Sequence, residues 1–493
     1  MPRSRPEAAA SWLDGPAPLF GWRGAALALP LAALLCWPAW TTGTVLVFAD
    51  TASYLRAGDA IWSTIVDAVR SILPAASPGG MGGGSVLEVD RQGGGTVGRS
   101  VTYGFAAHVL NAAMGPLALA VAQTWFTLVA AFALVTGDAL RRPWILAGGL
   151  AALALLTPLP FFATYLMPDL LAAVPILFAA ALVWRFDALA PVQRVALTGM
   201  TALAVSAHYG AIPLALAAGA AALVLRLPAG RGLGLGPAVA VAATVAFAPL
   251  LNVGASSVAL ERTSVAPLRL PILLARSIED GPARWYLEER CPEAPLVLCE
   301  IFADGVPRNV GAVLWSPDGV GDATREQMVQ VRQEEWAVLA RAFAAYPVAQ
   351  SWSLLRNGAR QAVLVGTRDL RPAAGIGPDL EPAYVGEDHR ARALLRGMDP
   401  VVGWGTLAVA ALALAFAARS RPDRAAIWAV LAVVAGLLAN AGIFGGLSAP
   451  VDRYQSRVIW VLPMVLVLVW ADAAARRDRR AAARRPPAGL RAA

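Results

Sequence analysis

Long apolar stretches recur along almost the whole of this 493-residue chain, and they limit what it can fold into. Hydrophobic residues make up 57% of the sequence and charged residues only 15%, as in proteins that cross a membrane several times. The sequence therefore predicts an all-α polytopic membrane protein with about ten transmembrane helices, of which one between the third and the sixth can be re-entrant. The predicted spans are approximately 24–47, 115–137, 143–160, 168–184, 194–208, 210–226, 237–256, 400–418, 425–444 and 456–473.

Arginine is concentrated in alternate short connections between these spans. Because cytoplasmic connections are enriched in basic residues, this pattern places the N-terminus in the cytoplasm and predicts a multi-pass protein of the inner (cytoplasmic) membrane. The first apolar run is too long for a signal peptide and lacks a small-residue cleavage site. The net charge of +8 does not indicate nucleic-acid binding, since the arginines lie beside the spans. The basic positions are 141, 142, 185, 194, 226, 231, 419, 421 and 424, followed in the tail by 476, 477, 479, 480, 484 and 485.

The predicted topology divides the chain into four parts. Helical spacing of apolar residues predicts a helix along the membrane surface over 51–73. A glycine-rich connector covers 79–98, helical character resumes over 101–110, and 325–346 is an amphipathic helical stretch of the second outer segment. The large extracytoplasmic segment either forms an ordered domain or lid, or packs as a helical elaboration without chemistry. The parts are an N-terminal transmembrane module (1–256) with the first outer loop (50–114), the extracytoplasmic segment (257–399), C-terminal transmembrane helices (400–475) and a basic cytoplasmic tail (476–493).

Two cysteines in the extracytoplasmic segment, Cys291 and Cys299, are eight positions apart and flanked by prolines. A disulfide between them is plausible outside the cytoplasm. With no histidine close by in the sequence, a zinc site is disfavoured. Cys36 lies within the first predicted span and is interpreted as a packing residue.

The stretch GGGTVGRS at 93–100 is close to a phosphate-binding loop but does not satisfy its requirements. Arg99 replaces the lysine, no buried strand precedes the motif, and the predicted location is outside the cytoplasm. A flexible linker is the better interpretation. Arg99 and Tyr103 are nevertheless four residues apart, so they share a face if the following residues are helical.

Polar residues collect where the predicted spans reach the outer face. Charged groups at a membrane are costly and tend to mark functional sites, so we expect these loops to meet above the helices. The candidate residues are Asp50 and Tyr54 after the first span, Arg99 and Tyr103 before the second, Asp169 before the fourth, His208 between the fifth and sixth, and Arg453, Tyr454 and Arg457 before the tenth.

Each candidate has a structural alternative. Asp50 can cap the helix that follows it, and Asp169, after Pro168, suits a helix N-terminus. His208 can be a hydrogen-bonded packing residue. Arg453 and Arg457 are harder to explain by topology, because basic residues are disfavoured on the outer side; an anionic partner such as a lipid phosphate accounts for them better.

The order and sidedness of these residues resemble the GT-C superfamily of integral-membrane glycosyltransferases. The likeness covers about the N-terminal two-fifths of the chain and the last outer loop, whereas 257–400 matches no domain of the family. The chain departs from the family in two ways. Protein O-mannosyltransferases have a second acid next to the first, whereas Asp50 stands alone, and Ser100 occupies a position where relatives often have proline. The motifs are Phe48-Ala49-Asp50-Thr51-Ala52-Ser53-Tyr54, Gly98-Arg99-Ser100-Val101-Thr102-Tyr103, Tyr165-Leu166-Met167-Pro168-Asp169 and Arg453-Tyr454.

The resemblance implies transfer of a hexosyl or pentosyl group, with inversion, from a polyprenyl-phosphate-linked donor to a glycan, lipid or protein acceptor at the periplasmic or exterior face. Asp50 would be the general base, and Arg453, assisted by Arg457 or Arg99, would stabilise the leaving phosphate. Asp169 would orient the acceptor, bind sugar hydroxyls or hold a metal. No soluble cofactor is implied; a divalent Mg²⁺ or Mn²⁺, if used, would take Asp50 or Asp169. Tyr54, Tyr103, His208 and Tyr454 would contact the substrate.

Two other classes of protein fit ten spans. A transporter or lipid flippase should place ionisable residues near the membrane midplane in discontinuous helices, whereas the predicted spans are almost free of acids. A non-catalytic membrane scaffold would bind a partner through 257–399, and its function would not depend on Asp50.

Overall fold

The structure, a computed structural model, describes residues 17–72, 99–260, 265, 270–291 and 293–483. Four features of the sequence lie outside the described residues: the first sixteen residues, the 79–98 connector, most of the GGGTVGRS stretch, and the end of the basic tail with Arg484 and Arg485. Within the described ranges the chain is mainly helical.

The helices and strands follow one another along the chain from Trp22 to Ala483. The helices are α1 (Trp22–Leu35), α2 (Trp37–Thr42), α3 (Ala49–Ile72), α4 (Val101–Met114), α5 (Pro116–Ala131), α6 (Gly137–Leu140), α7 (Pro143–Leu156), α8 (Leu159–Ala163), α9 (Ala173–Trp184), α10 (Pro191–Ser206), α11 (Ala211–Arg226), α12 (Leu235–Leu260), α13 (Ile272–Asp280), α14 (Pro282–Arg290), α15 (Val297–Ile301), α16 (Val310–Trp315), α17 (Arg325–Ala345), α18 (Pro347–Val363), α19 (Arg390–Arg419), α20 (Arg424–Leu447), α21 (Asp452–Ile459) and α22 (Val461–Ala483). The strands are β1 (Val45–Val47), β2 (Arg371–Ile376) and β3 (Pro382–Tyr384).

Four segments are long and apolar enough to cross a membrane, judged by length and composition. Five shorter apolar helical segments, each of 10–17 residues, accompany them among the described residues. The chain is therefore a mainly helical membrane-embedded protein, while ten spans stay a prediction. The long segments are Leu235–Val258, Arg390–Arg419, Arg424–Leu447 and Asp452–Ala481; the shorter ones are Trp22–Leu35, Pro116–Ala131, Pro143–Leu156, Pro168–Trp184 and Ala211–Arg226.

The first predicted span, 24–47, is wrong as a single helix. The α1 helix ends at Leu35, the short α2 helix ends at Gly43 in a left-handed conformation (φ 71°), and the chain continues as a strand. Pro38 is a physical reason for the break, because its ring nitrogen cannot donate the hydrogen bond that a continuous helix needs there. The eighth span also differs from the prediction, since α19 begins at Arg390 rather than near residue 400.

The β1 strand lies between two partners that are distant in sequence. It pairs antiparallel with β2, with Val45 opposite Ala373, and β2 pairs antiparallel with β3. On its other side the Leu46 N–H donates to the Thr164 carbonyl (3.0 Å), and the Leu166 N–H donates to the Leu46 carbonyl (2.8 Å). Extended backbone in a membrane protein needs such partners because few waters are available. The small sheet was not predicted, and it fixes the residues that lead into α3.

Helix α9 is at the centre of the main core, with all twelve of its residues buried. Its sequence is apolar on every side and rich in alanine, which allows neighbouring helices to approach it from all directions. The helices α5, α10, α11, α20 and α22 surround it. This packing gives the bundle a rigid frame beneath the 3₁₀ turn Pro168–Ala172 that precedes α9.

The segment 257–399 is built from two structurally different parts. Residues 270–346 have a hydrophobic cluster of their own, including Leu274, Leu287 and Val331, and Cys291 and Cys299 form a disulfide in it. From α18 onward the segment joins the main bundle instead: α18 packs along α20, and β2 completes the small sheet. The predicted helix over 325–346 is confirmed by α17.

Acidic residues pair with the arginines at the end of the bundle opposite β1. Arg185 and Arg476 both contact Asp472, at 2.7 and 2.8 Å, and Arg226 contacts Asp187 at 3.0 Å. Asp472 is almost completely buried. The arginine-rich connections therefore have a structural role here in addition to the topological one that the sequence indicates.

Helices α3 and α4 cross at two glycines, which allows their backbones to touch. A Cβ atom added at Gly58 would lie 2.0 Å from the Gly104 carbonyl oxygen, and one added at Gly104 would lie 2.5 Å from the Tyr54 carbonyl oxygen. Both neighbours are backbone atoms and cannot move aside. The predicted helices over 51–73 and 101–110 are confirmed, and this crossing holds them together.

Substitution of Gly104 by alanine is expected to destabilise the protein by about 1–3 kcal/mol, because overpacking displaces the backbone of α3. Thermal unfolding of purified protein in detergent measures the effect. Gly148→Ala is the matched control, since a Cβ atom at this helical position meets nothing within 4 Å. Equal stability of the two variants would contradict the close crossing.

Candidate functional site

Asp50 lies in the first turn of α3 and forms an ion pair with Arg99, at 2.5 Å between Oδ1 and Nη2. At the start of α3 the hydroxyl of Thr51, the third helical residue, accepts from the Phe48 N–H (3.0 Å) and donates to the Leu166 carbonyl (3.1 Å). The Asp50 side chain is 16% exposed to solvent, and the Arg99 side chain is 26% exposed. Asp50 is the second residue of α3, its side chain contacts Arg99 and it is partly exposed to solvent.

Arg99 precedes α4, whose first turn is held by Ser100. The Ser100 hydroxyl accepts from the Tyr103 N–H (3.2 Å) and donates to the Ser206 carbonyl (2.7 Å), which ties α4 to the end of α10. Burial lowers the pKa of Arg99, but the Asp50 carboxylate outweighs this effect and raises it above the usual value. The guanidinium therefore stays charged beside Asp50. Ser100 is the N-cap residue of α4.

Tyr54 and Tyr103 pack against each other rather than presenting their faces to a cavity. Their rings make an edge-to-face contact, 5.1 Å between centroids, and both residues are buried. The Tyr103 hydroxyl donates to Gln123 Oε1 (3.1 Å). Burial raises the pKa of Tyr54 well above its usual value, so its hydroxyl stays protonated. In this arrangement the two rings are covered by protein, so the substrate contact predicted for these tyrosines stays a prediction.

Asp169 and Arg457 form an ion pair that is completely enclosed by protein. Arg457 Nη1 donates to Asp169 Oδ1 at 2.9 Å, and Nη2 donates to Asn440 Oδ1 at 3.3 Å. The guanidinium lies 4.0 Å from the Phe444 ring centroid and 5.0 Å from that of Tyr454. Arg457, predicted to bind the leaving phosphate, is therefore committed to Asp169 and positions its neighbours. Asp169 keeps one oxygen, Oδ2, buried without a hydrogen-bond partner among the described residues.

Arg453 has more unused donor atoms than Arg457, in which only Nε is buried without a hydrogen-bond partner among the described residues. Its guanidinium covers the Phe48 ring at 4.0 Å and lies beside the Tyr165 hydroxyl. Its Nε and Nη1 atoms are buried and have no hydrogen-bond partner within the described ranges, and the same holds for the Tyr165 hydroxyl. Tyr454 contacts Arg453 through its hydroxyl (3.5 Å) and packs on Phe444 at 5.0 Å. Unpaired buried donors of this kind are costly and call for a ligand or water.

His208 acts as a neutral hydrogen-bond acceptor. Its Nδ1 accepts from the Gly210 N–H at 3.1 Å at the start of α11, and its ring meets Phe444 at 5.5 Å. Burial, together with the charge of nearby Arg457, lowers the pKa of His208 from 6.5 to about 3, and Asp169 opposes this effect. The packing role considered for His208 agrees with these contacts.

Acid is expected to destabilise the protein through His208. Because the folded state holds this side chain neutral, the unfolded state binds the extra proton, so stability is complete above about pH 6.5 and falls as the pH drops toward 3. The variant His208→Asn keeps an acceptor near the Gly210 N–H but does not titrate. Melting temperatures between pH 7.5 and 4.5 should fall less steeply for the variant; parallel curves would contradict this role.

The candidate residues assemble at one end of the bundle. The Phe48 ring connects Arg453 to the segment that carries Asp50, and Tyr165 is an electrostatic neighbour of Asp50, Asp169 and Arg453. A divalent metal ion does not fit at Asp50 or Asp169, because each carboxylate already forms an ion pair, with Arg99 and Arg457 respectively. No group of three His, Cys, Asp or Glu side chains in the described part of the chain can hold a metal ion.

Several residues of the site were missed from the sequence. Gln123 joins Tyr103 to the Tyr165 carbonyl (2.5 Å), and Asn440 joins Arg457 to the Tyr454 carbonyl (2.7 Å). Both are single amides inside apolar runs, and that isolation is the signal that could have found them. The role of Phe48 could not be found from the sequence, because it depends on the contact of its ring with the distant Arg453 side chain.

Searches of known protein families, of curated proteins and of solved structures found no match to this chain.

Proposed function

We propose that the protein is a membrane glycosyltransferase that moves a sugar from a polyprenyl-phosphate donor to a hydroxyl acceptor. The proposal rests on one observation, the unused hydrogen-bond donors of Arg453. Among the described residues, its buried Nε and Nη1 have no hydrogen-bond partner; they lie beside the Tyr165 hydroxyl, at the same end of the bundle as the partly exposed carboxylate of Asp50. A ligand that combines phosphate oxygens with sugar hydroxyls supplies the acceptors and donors that these groups lack.

The chemistry assigns one role to each of the two groups. The acceptor oxygen attacks the anomeric carbon while its proton passes to an Asp50 oxygen. The bond from the anomeric carbon to the phosphate oxygen breaks, and the lipid phosphate leaves with the electron pair. Arg453 stabilises the charge that develops on this oxygen. A single displacement of this kind inverts the configuration at the anomeric carbon.

The remaining residues position these two groups. Arg99 holds Asp50 at the start of α3, and the buried Asp169–Arg457 pair supports α21 beneath Arg453. The Asp169 Oδ2 atom adds an unpaired acceptor, within the described residues, on the same side as Tyr165. We further propose that this end of the bundle faces the periplasm or cell exterior, as the arginine distribution indicates.

Replacement of Arg453 by glutamine is expected to lower kcat about 10²–10³-fold, the loss typical for removal of one group that stabilises a developing anion. Arg453→Lys should recover part of it, because the charge returns without the planar fork. Transfer of radiolabelled sugar from polyprenyl-phosphate donors, in purified protein with lipid, measures the effect. Arg396→Gln is the control, since Arg396 is 66% exposed and contacts only Glu387 among the residues that the structure describes.

The two rival classes make different predictions in this assay. A transporter or flippase would move a lipid-linked sugar between vesicle leaflets without forming a new glycosidic bond. A scaffold would give no turnover and no dependence on Arg453. Absence of sugar transfer across a panel of donors and acceptors, in protein that is folded, would overturn the proposal.

A further inference from the structure

A second polar region lies outside the candidate site, where α13, α18 and the loop before α21 meet. These elements line an open cavity of about 540 Å³ whose lining includes Arg276, Asp280, Arg356, Asn357, Arg360 and Pro450. Glu279 adds a second carboxylate, so three arginines face two acids. Nothing in the proposed transfer reaction uses these residues.

Arg276 contacts both acids of this cavity and offsets one of their two negative charges. Arg276 Nη2 contacts Asp280 Oδ1 at 2.6 Å and Glu279 Oε1 at 3.0 Å, and Asn357 donates to both Asp280 oxygens at 3.0 and 2.9 Å. The Asp280 side chain is fully buried. The acids therefore hold Arg276 in place, and the lining as a whole, with three arginines against two acids, has a net charge of +1.

Three lining groups keep donor atoms that the two acids do not occupy. Arg356 approaches Asp280 only at 4.0 Å, and Arg360 has no ion-pair partner among the residues that the structure describes. The Nε atom of Arg276, whose side chain is 6% exposed, is buried without a hydrogen-bond partner within those residues. A cavity with these donors is suited to an anion with several oxygens, such as a phosphate.

The outer surface of α18 indicates what the anion is attached to. An exposed apolar stripe follows the helix at positions 348, 352, 355, 359 and 363, a helical spacing of four, three, four and four residues. Val348, Trp352, Leu355 and Val363 are each more than 60% exposed. A water-facing stripe of this length is unfavourable in a soluble helix.

Helix α18 runs antiparallel along the last turns of the long apolar helix α20. A Cβ atom at Gly358 would lie 3.3 Å from the Gly442 Cα atom, and one at Gly446 would lie 3.4 Å from the Leu354 carbonyl oxygen. Since α20 is long enough to cross a membrane, residues 354–358 of α18 lie at the depth of its last turns. The apolar stripe is therefore positioned to contact lipid chains, and Arg356 and Arg360 each follow a stripe residue directly in sequence.

We infer that this cavity binds the phosphate headgroup of an anionic membrane phospholipid, whose acyl chains lie along the apolar stripe of α18. The arginines provide the headgroup contacts and the stripe provides the chain contacts. The site is separate from Asp50, although Pro450 belongs to the loop that leads to Arg453. The inference does not depend on sugar transfer.

Binding of fluorescent phosphatidic acid to the full-length protein in phosphatidylcholine nanodiscs tests this inference. We expect the double variant Arg356→Gln/Arg360→Gln to weaken binding about tenfold or more, because two charge-assisted contacts are lost. Both residues are exposed, so the variant should fold normally, which thermal unfolding checks. The matched control Arg396→Gln should bind as the unaltered protein does.

Two further arms distinguish a lipid from a free anion. Leu355→Gln/Val363→Gln, which alters only the stripe, should also weaken binding of phosphatidic acid, and inorganic phosphate at millimolar concentration should compete poorly. Full competition by phosphate together with no effect of the stripe variant would overturn the lipid assignment in favour of a soluble phosphate. Unchanged lipid binding by the double arginine variant would overturn the site itself.

Discussion

Replacement of Asp50 by asparagine is expected to reduce sugar transfer about 10²–10⁴-fold, the contribution typical of a positioned general base. The asparagine amide has the same size as the aspartate carboxylate, but it cannot take up the proton of the attacking hydroxyl group. Stability should change by less than about 1 kcal/mol, because the Asp50–Arg99 pair is partly exposed and such pairs contribute little. Single-turnover transfer assays and melting temperatures of the same preparation measure the two effects.

Asp59→Asn provides the matched control for this experiment. Asp59 is on the same helix, is 58% exposed, and lies 3.7 Å from His108 rather than near Arg453. We expect it to retain full activity. Retained transfer in the Asp50→Asn protein would contradict the assignment of the base, whereas loss of both activity and folding would assign Asp50 to the structure instead.

The second large effect concerns the buried pair of Asp169 and Arg457. Substitution of Arg457 by methionine should destabilise the protein by about 3–5 kcal/mol, because Asp169 is left as an uncompensated charge in the interior. The double variant Asp169→Leu/Arg457→Met removes both charges and should recover a large part of this loss. Denaturant unfolding in detergent, analysed as a double-mutant cycle with Asp169→Leu, measures the coupling.

An exposed ion pair is the reference for the buried one. Arg396 and Glu387 are 66% and 72% exposed, and Arg396→Gln should alter the free energy of unfolding by no more than about 1 kcal/mol. Additive effects of the two substitutions in the buried pair would mean that the side chains do not stabilise each other. In that case Arg457 would be available to substrate, as the sequence suggested.

The sequence predicted the features that depend on local pattern. The amphipathic helices α3 and α17 follow from the spacing of apolar residues, and hydropathy alone identifies a membrane protein. The common end of Asp50, Asp169 and Arg453 was expected from the alternation of basic connections. These inferences need no knowledge of distances between helices.

Other features depend on contacts between distant parts of the chain. Val45–Val47 continues an apolar run, so only its pairing with 371–373 and 164–166 makes it a strand. Likewise, the sequence showed that Asp169 and Arg457 share a side, but not that they neutralise each other. The sequence does not distinguish a charged residue that pairs within the protein from one that binds a substrate.

The position of β1 has a consequence for the order in which the protein assembles during synthesis. The strand that leads into Asp50 is made early, but its partner β2 emerges from the ribosome only after most of the helices have been inserted. Until then one edge of β1 lacks its hydrogen bonds, and Phe48 lacks the Arg453 side chain that covers it. The nascent chain therefore completes the candidate site last, so a truncated or stalled product carries Asp50 without the surroundings that would make it reactive.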